Sequence, residues 1–135
     1  MNRRVYVETT VISYLAALAS RDVIIKAHQE VTHAWWLKRR RDFELMVSDV
    51  VLEELGRGDK AAAASRLGYA RNLNVVLSAG PSIALARLLL KQRAVPAAAQ
   101  VDALHIGVAA ANGAVCRAAG YEPPVICTPE ELMGD

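Results

Sequence analysis

Aromatic side chains are scarce in this chain: one phenylalanine, two tryptophans and four tyrosines make up 5% of it. A core must therefore be built from Ala, Val, Leu and Ile. Cysteine is scarcer still. Cys116 and Cys127 form no CxxC pair and match no zinc spacing, and two thiols are too few for a disulfide framework. A reducing, cytoplasmic setting is the expectation. No run approaches the uninterrupted apolar length of a membrane span. The opening "MNRRVYVE" carries the basic residues of a signal peptide, but Glu8 breaks its apolar run. A strong charge of one sign is also lacking: the net +2 permits contact with nucleic acid without demanding it. What remains is 135 residues, 53% apolar and 22% charged. That composition fits one soluble globular domain, residues 1–135, able to bury a real core.

The chain alternates strand-like and helix-like stretches. "RVYVE" (4–8) is short and β-branched, which reads as a strand. Thr9 or Thr10 is then expected to cap a helix through "VISYLAALA". Ser20-Arg21-Asp22 breaks that helix and caps a second, "VIIKAHQEVTHAWWLKRRR", on which Ile24, Ala27, Val31 and Trp35 recur at helical spacing. "FELMVS" (43–48) is a second strand, with Ser48 opening a helix through "DVVLEEL" that "GRGD" closes. "KAAAASRLGYARNL" is helical and "NVVLS" (74–78) a third strand. Two more helices, "PSIALARLLLKQRA" and "PAAAQVDALHIGVAAANGAVCRAA", each begin with a proline. "PVICT" (124–128) is a last strand, and "TPEEL" holds the residues of a capping box. Alternation of this kind predicts one parallel sheet flanked by helices, with any site at the carboxyl ends of the strands.

Three carboxylates occupy apolar surroundings. Glu8 ends the first strand. Glu54 neighbours Val50 and Val51 across a turn, beside the buried stripe, whereas Glu53 points elsewhere. Asp102 sits in a helix that is apolar nearly all round, a pattern of buried helices. Singly, such acids are ordinarily solvated or capping. Brought together they would repel, and one would protonate unless a cation lay between them. Oxygen ligands without His or Cys favour Mg²⁺ or Mn²⁺ over zinc. Such an ion activates water and clamps phosphate oxygens, which suits phosphodiester hydrolysis. His105 shares a helical face with Asp102. It is read either as orienting that carboxylate or as a satisfied core histidine.

The run Lys38-Arg39-Arg40-Arg41 is read first as a solvated helix end. Its alternative is a patch for an RNA backbone. Trp35 is expected to pack, and Trp36 to be exposed and able to stack on a base.

The motifs "VYVETTVISYL", "SDVVLEEL", "VDALHIGVAAANG" and "PVICTPEEL" together resemble the PIN-domain family, most closely the VapC-type toxins of bacterial type II toxin–antitoxin modules. The likeness covers most of the chain. It implies an α/β three-layer sandwich, with a parallel sheet flanked by helices and an acidic cluster binding Mg²⁺ or Mn²⁺. It also implies endoribonuclease activity and a homodimer neutralised by a cognate antitoxin. Carried over by motif, the catalytic and metal-binding acids are Glu8, Glu54 and Asp102. Glu8 replaces the family's commoner Asp, and its added methylene moves the carboxylate outward.

A larger departure follows the "DALHI" helix. The family continues there with a strand ending in an Asp- and Thr-Trp-Asn-containing segment, then a further helix. Here "AAANG" runs straight into "AVCRAAGYEPPVICTPEEL", so an interior strand and a fourth acidic contribution are missing. An empty interior position leaves unpaired backbone groups. "PVICT" is therefore expected to move in beside "RVYVE", bringing Thr128 near the site, with Glu130 or Glu131 as a substitute acid. Two functions stand side by side: a metal-dependent endoribonuclease toxin acting on RNA, or a shortened, weakly active or inactive paralogue that binds antitoxin or dimerises. The helix around Ala34 and Trp35 is the candidate dimer surface.

Overall fold

The computed structural model describes residues 3–78 and 80–118. Three parallel strands form its sheet: β1 (Arg3–Tyr6), β2 (Phe43–Ser48) and β3 (Asn74–Val76), in the order β1-β2-β3. Tyr6 lies opposite Met46 and Met46 opposite Asn74. The central strand is buried at every position but Glu44. Parallel strands covered on both faces read as such near-continuous apolar runs. Parallel pairing needs long crossovers. Helices α1 (Thr9–Ala16) and α2 (Val23–Lys38) supply the first, and α3 (Asp49–Leu55) and α4 (Lys60–Ala70) the second. After β3 come α5 (Gly80–Lys91) and α6 (Gln100–Ala118), packed on one another. The architecture is thus a small parallel sheet flanked by helices. The stretches "PVICT" and "TPEEL", with Thr128, Glu130 and Glu131, lie outside the described residues.

The core joins Val5 and Val7, Ile12 and Leu15 of α1, Met46 and Val47 of β2, Val51 and Leu55 of α3, and Val108 of α6. Trp35 packs into it at 1% exposure, tilted against Phe43, so its side chain belongs to the core and not to the surface of α2. Trp36 is likewise buried, at 8% exposure. Arg40 covers its ring at 4.6 Å and Tyr69 meets it edge-on, so it is not free to stack on a base.

Helix α2 presents a different stripe from the one its aliphatic residues suggest. Ile24 and Ala27 are exposed, and the inward face is Gln29, Thr32, Trp35 and Trp36. Gln29 is drawn inward because the turn after α1 needs partners. Its Oε1 accepts from the Ser20 amide at 2.9 Å and its Nε2 donates to the Leu18 carbonyl at 3.1 Å. The helix begins where expected, with the Asp22 carboxylate accepting from the amides of Ile24 and Ile25. It ends at Lys38, three residues short of the "KRRR" terminus. A 3-10 turn (Arg40–Asp42) follows, tied by an Arg39–Asp42 ion pair at 2.7 Å.

Helix α6 starts at Gln100 rather than at Pro96. Pro96 belongs instead to a turn in which its carbonyl accepts from the Ala99 amide. The α5–α6 crossing is close at Gly107, where a Cβ would overlap the carbonyl oxygen of Ser82.

Candidate active site

Each strand hands its chain to the site at its carboxyl end, as expected for a parallel sheet. Beyond β1, Glu8 has extended backbone (φ −91°, ψ 172°), and its carboxylate accepts from the Val11 amide at 3.3 Å. Glu8 itself therefore caps α1, in the place expected of Thr9 or Thr10. The threonine hydroxyl is engaged elsewhere: Thr9 Oγ1 donates to Glu54 Oε1 at 2.8 Å. At the end of β2, Ser48 caps α3 as its sequence position suggests, accepting from the Val51 amide at 3.2 Å. Asp49, next in the chain, accepts from both the amide and the hydroxyl of Ser78, at 2.8 and 2.7 Å, just past β3. Partial burial opposes its ionisation, but these two bonds, with the backbone amides of Val50 and Asp49, together outweigh that and hold its carboxyl below the ordinary range.

Between these ends runs a chain of short hydrogen bonds. Tyr6 Oη lies 2.7 Å from Ser48 Oγ and 2.7 Å from His105 Nδ1, and His105 Nε2 lies 2.7 Å from Glu54 Oε1. Donor and acceptor capacity sets its direction. A carboxylate only accepts, so Nε2 donates to Glu54. In a neutral ring Nδ1 is then the acceptor, and the Tyr6 hydroxyl donates to it. Ser48 donates in turn to the Tyr6 oxygen while accepting from Val51. Four residues from four elements, Ser48, Tyr6, His105 and Thr9, are thereby aligned toward one carboxylate. Both bonds to Glu54 from the described residues fall on Oε1, so that among the described residues Oε2 is the oxygen left to a ligand.

The same centre is acidic. Burial pushes the Tyr6 hydroxyl up to about 12, against the opposing bond from Ser48, and the charges of Glu54, Glu8 and Asp49 push it further in the same direction. Glu8 and Glu54 thus act on one buried hydroxyl, which ties two of the three expected acids to a single locality. Asp102 is not joined to them by a hydrogen bond. It is exposed, in the first turn of α6, three residues before His105. That offset is about 4.5 Å along a helix axis. The helix is not buried all round: Val101, Asp102 and Ala110 face outward, while Ala103, His105, Gly107, Val108 and Ala109 face in. Among the described residues no three His, Cys, Asp or Glu side chains form a group able to hold a metal ion.

His105 is a satisfied buried histidine, as one of its two readings had it, but its carboxylate partner is Glu54 rather than Asp102. Glu53 turns outward to Arg57, at 2.8 Å, in keeping with its expected direction. Sequence reasoning passed over Tyr6, Asp49 and Ser78, and it took Thr9 only as a cap. Tyr6 carried a usable signal, because a tyrosine in a buried strand needs a partner for its hydroxyl. Comparison of the chain with protein-family models, curated proteins and solved structures finds no match. Among the described residues no helix is long and apolar enough to cross a membrane.

Proposed function

We infer that the chain is a PIN-type, metal-dependent endoribonuclease, the toxin of a toxin–antitoxin pair, acting in the cytoplasm on RNA phosphodiesters. One observation carries this reading. Among the described residues, Glu54 is held by two donors on one oxygen with its other oxygen left over, in the same acidic locality as Glu8. Two donors on one oxygen fix the orientation of the carboxylate, as a metal ligand requires.

The donor set suits Mg²⁺ or Mn²⁺. Its oxygens are hard, and Mg²⁺ is ordinarily held by one or two carboxylates with waters and substrate phosphates filling the remaining positions. Glu8 and Glu54 are the inner pair, and Asp102 adds charge from the first turn of α6. A bound ion of this kind lowers the pKa of water and offsets phosphate charge. The chain's own part is to fix Glu54, to keep Glu8 at the mouth of α1 and to gather negative charge that would otherwise repel an RNA backbone.

The test is cleavage of structured RNA by purified protein with Mg²⁺ or Mn²⁺. Activity should vanish with chelator and in Glu54→Gln, and fall in Asp102→Asn. Cleavage that survives chelation or Glu54→Gln would sink the reading. The second reading, a binding module for an antitoxin or a second copy, draws on Leu18, Val23 and Ile24. These lie at the α1–α2 junction with exposures of 92%, 81% and 70%. Tight antitoxin binding without cleavage would favour it.

A further inference from the structure

We propose that His105 is a positioning residue. With Tyr6 and Ser48 behind it, it locks the Glu54 carboxylate so that Oε2 faces the ion; this rests on the metal-dependent reading above. The argument is geometric. His105 is buried, and its two ring nitrogens are each 2.7 Å from a partner on a different element, Tyr6 on β1 and Glu54 on α3. A ring held at both ends cannot turn without breaking a buried bond. The Tyr6 hydroxyl is itself held by Ser48 at 2.7 Å, and Ser48 by the Val51 amide in the first turn of the helix that carries Glu54. The loop of bonds therefore closes on itself: α3 anchors Ser48, Ser48 orients Tyr6, Tyr6 orients His105, and His105 orients Glu54 back on α3. Thr9 adds a second donor to the same Oε1 from α1. The free rotation of a glutamate is thereby removed before any ligand arrives. His105 touches neither ion nor substrate in this arrangement.

Two measurements on the whole chain test it. Nitrogen-correlated NMR of the His105 ring should show hydrogen on Nε2. A ring whose Nε2 carries none would overturn the assignment whatever the protein cleaves. Calorimetric titration with Mn²⁺ alone then reads the positioning. Loss of a partner that orients a metal ligand ordinarily costs about 10–100-fold in affinity. His105→Leu should fall in that range. His105→Gln, whose amide nitrogen reproduces Nε2 as a donor but which lacks the Nδ1 acceptor for Tyr6, should lose less than His105→Leu and about as much as Tyr6→Phe, since the bond to Glu54 survives.

Tyr6→Phe leaves His105 in place but removes its rear anchor. It should weaken Mn²⁺ by several-fold, and it carries the test if His105→Leu does not fold. Glu54→Gln separates the two failures. If it alone loses Mn²⁺ while folded His105→Leu, or Tyr6→Phe in its stead, binds like the parent, the positioning role is wrong and the metal reading stands. If Glu54→Gln binds Mn²⁺ undiminished, both are wrong.

Discussion

Tyr6 is where the chemistry of single residues is clearest. Burial and three nearby carboxylates hold its hydroxyl protonated up to about 12, against an ordinary 10.0. Folding therefore favours the protonated form. This contribution is fully present below pH 10.0, the unfolded value, and is lost as the pH rises through about 12, the folded value. An interval of that size corresponds to about 3 kcal/mol. Chemical denaturation across this range should show stability falling by about that much, and Tyr6→Phe should flatten the fall. Equal slopes in parent and variant would remove Tyr6 from the account. At this scale the sequence was half legible. Glu8 stood out because a carboxylate interrupts an apolar run, yet its capping of α1 was hidden behind two threonines that are better caps by propensity. Which residues His105 would meet was not readable, since Tyr6 and Glu54 are 99 and 51 positions away from it.

At the level of elements, helix ends and crossings carry the site. Ser48 both caps α3 and donates to Tyr6. Ser48→Ala removes a cap and leaves a buried hydroxyl short of a donor, which should cost about 2 kcal/mol in urea unfolding. Thr10→Ala, at an exposed position two residues past the true cap, should change stability by no more than about 0.5 kcal/mol. A Thr10 variant as costly as Ser48→Ala would mean that the cap of α1 is misassigned. Gly107 sits against the Ser82 backbone, which cannot yield as a flexible side chain could. Gly107→Ala should therefore destabilise by about 1–3 kcal/mol in thermal unfolding, despite alanine's better helix propensity. A stabilised variant would show that α5 and α6 are less closely packed. The bounds of β2 and α3 were legible to the residue because Ser48 ends the one and opens the other, and "GRGD" closes α3; the periodicity was less reliable. It misread α2, where the first turns project past the core and Ile24 is left outside while Gln29 is taken in to satisfy a turn.

Across the whole molecule, the alternation of strands and helices was enough to foresee a parallel sheet flanked by helices, and the candidate residues gather at the strands' carboxyl ends. The sheet delivers Glu8, Asp49 and Ser78 to that edge through three successive strands, and α6 brings His105 to it. What the alternation could not reveal is how side chains share hydrogen bonds across that edge. That depends on register, here Tyr6 opposite Met46 and two residues short of Ser48. The expected burial of Asp102 failed for a related reason: an Ala-rich helix looks apolar on every face, although its outward face is set by what it packs against.

The account as a whole depends on Glu8 and Glu54 serving one ion. Anomalous diffraction from a crystal soaked in Mn²⁺ tests this most directly. The expected result is a single strong peak in coordination with Glu54 Oε2 and the Glu8 carboxylate, absent from crystals of Glu54→Gln. A peak elsewhere, or none beside Glu54 at saturating Mn²⁺, would contradict it.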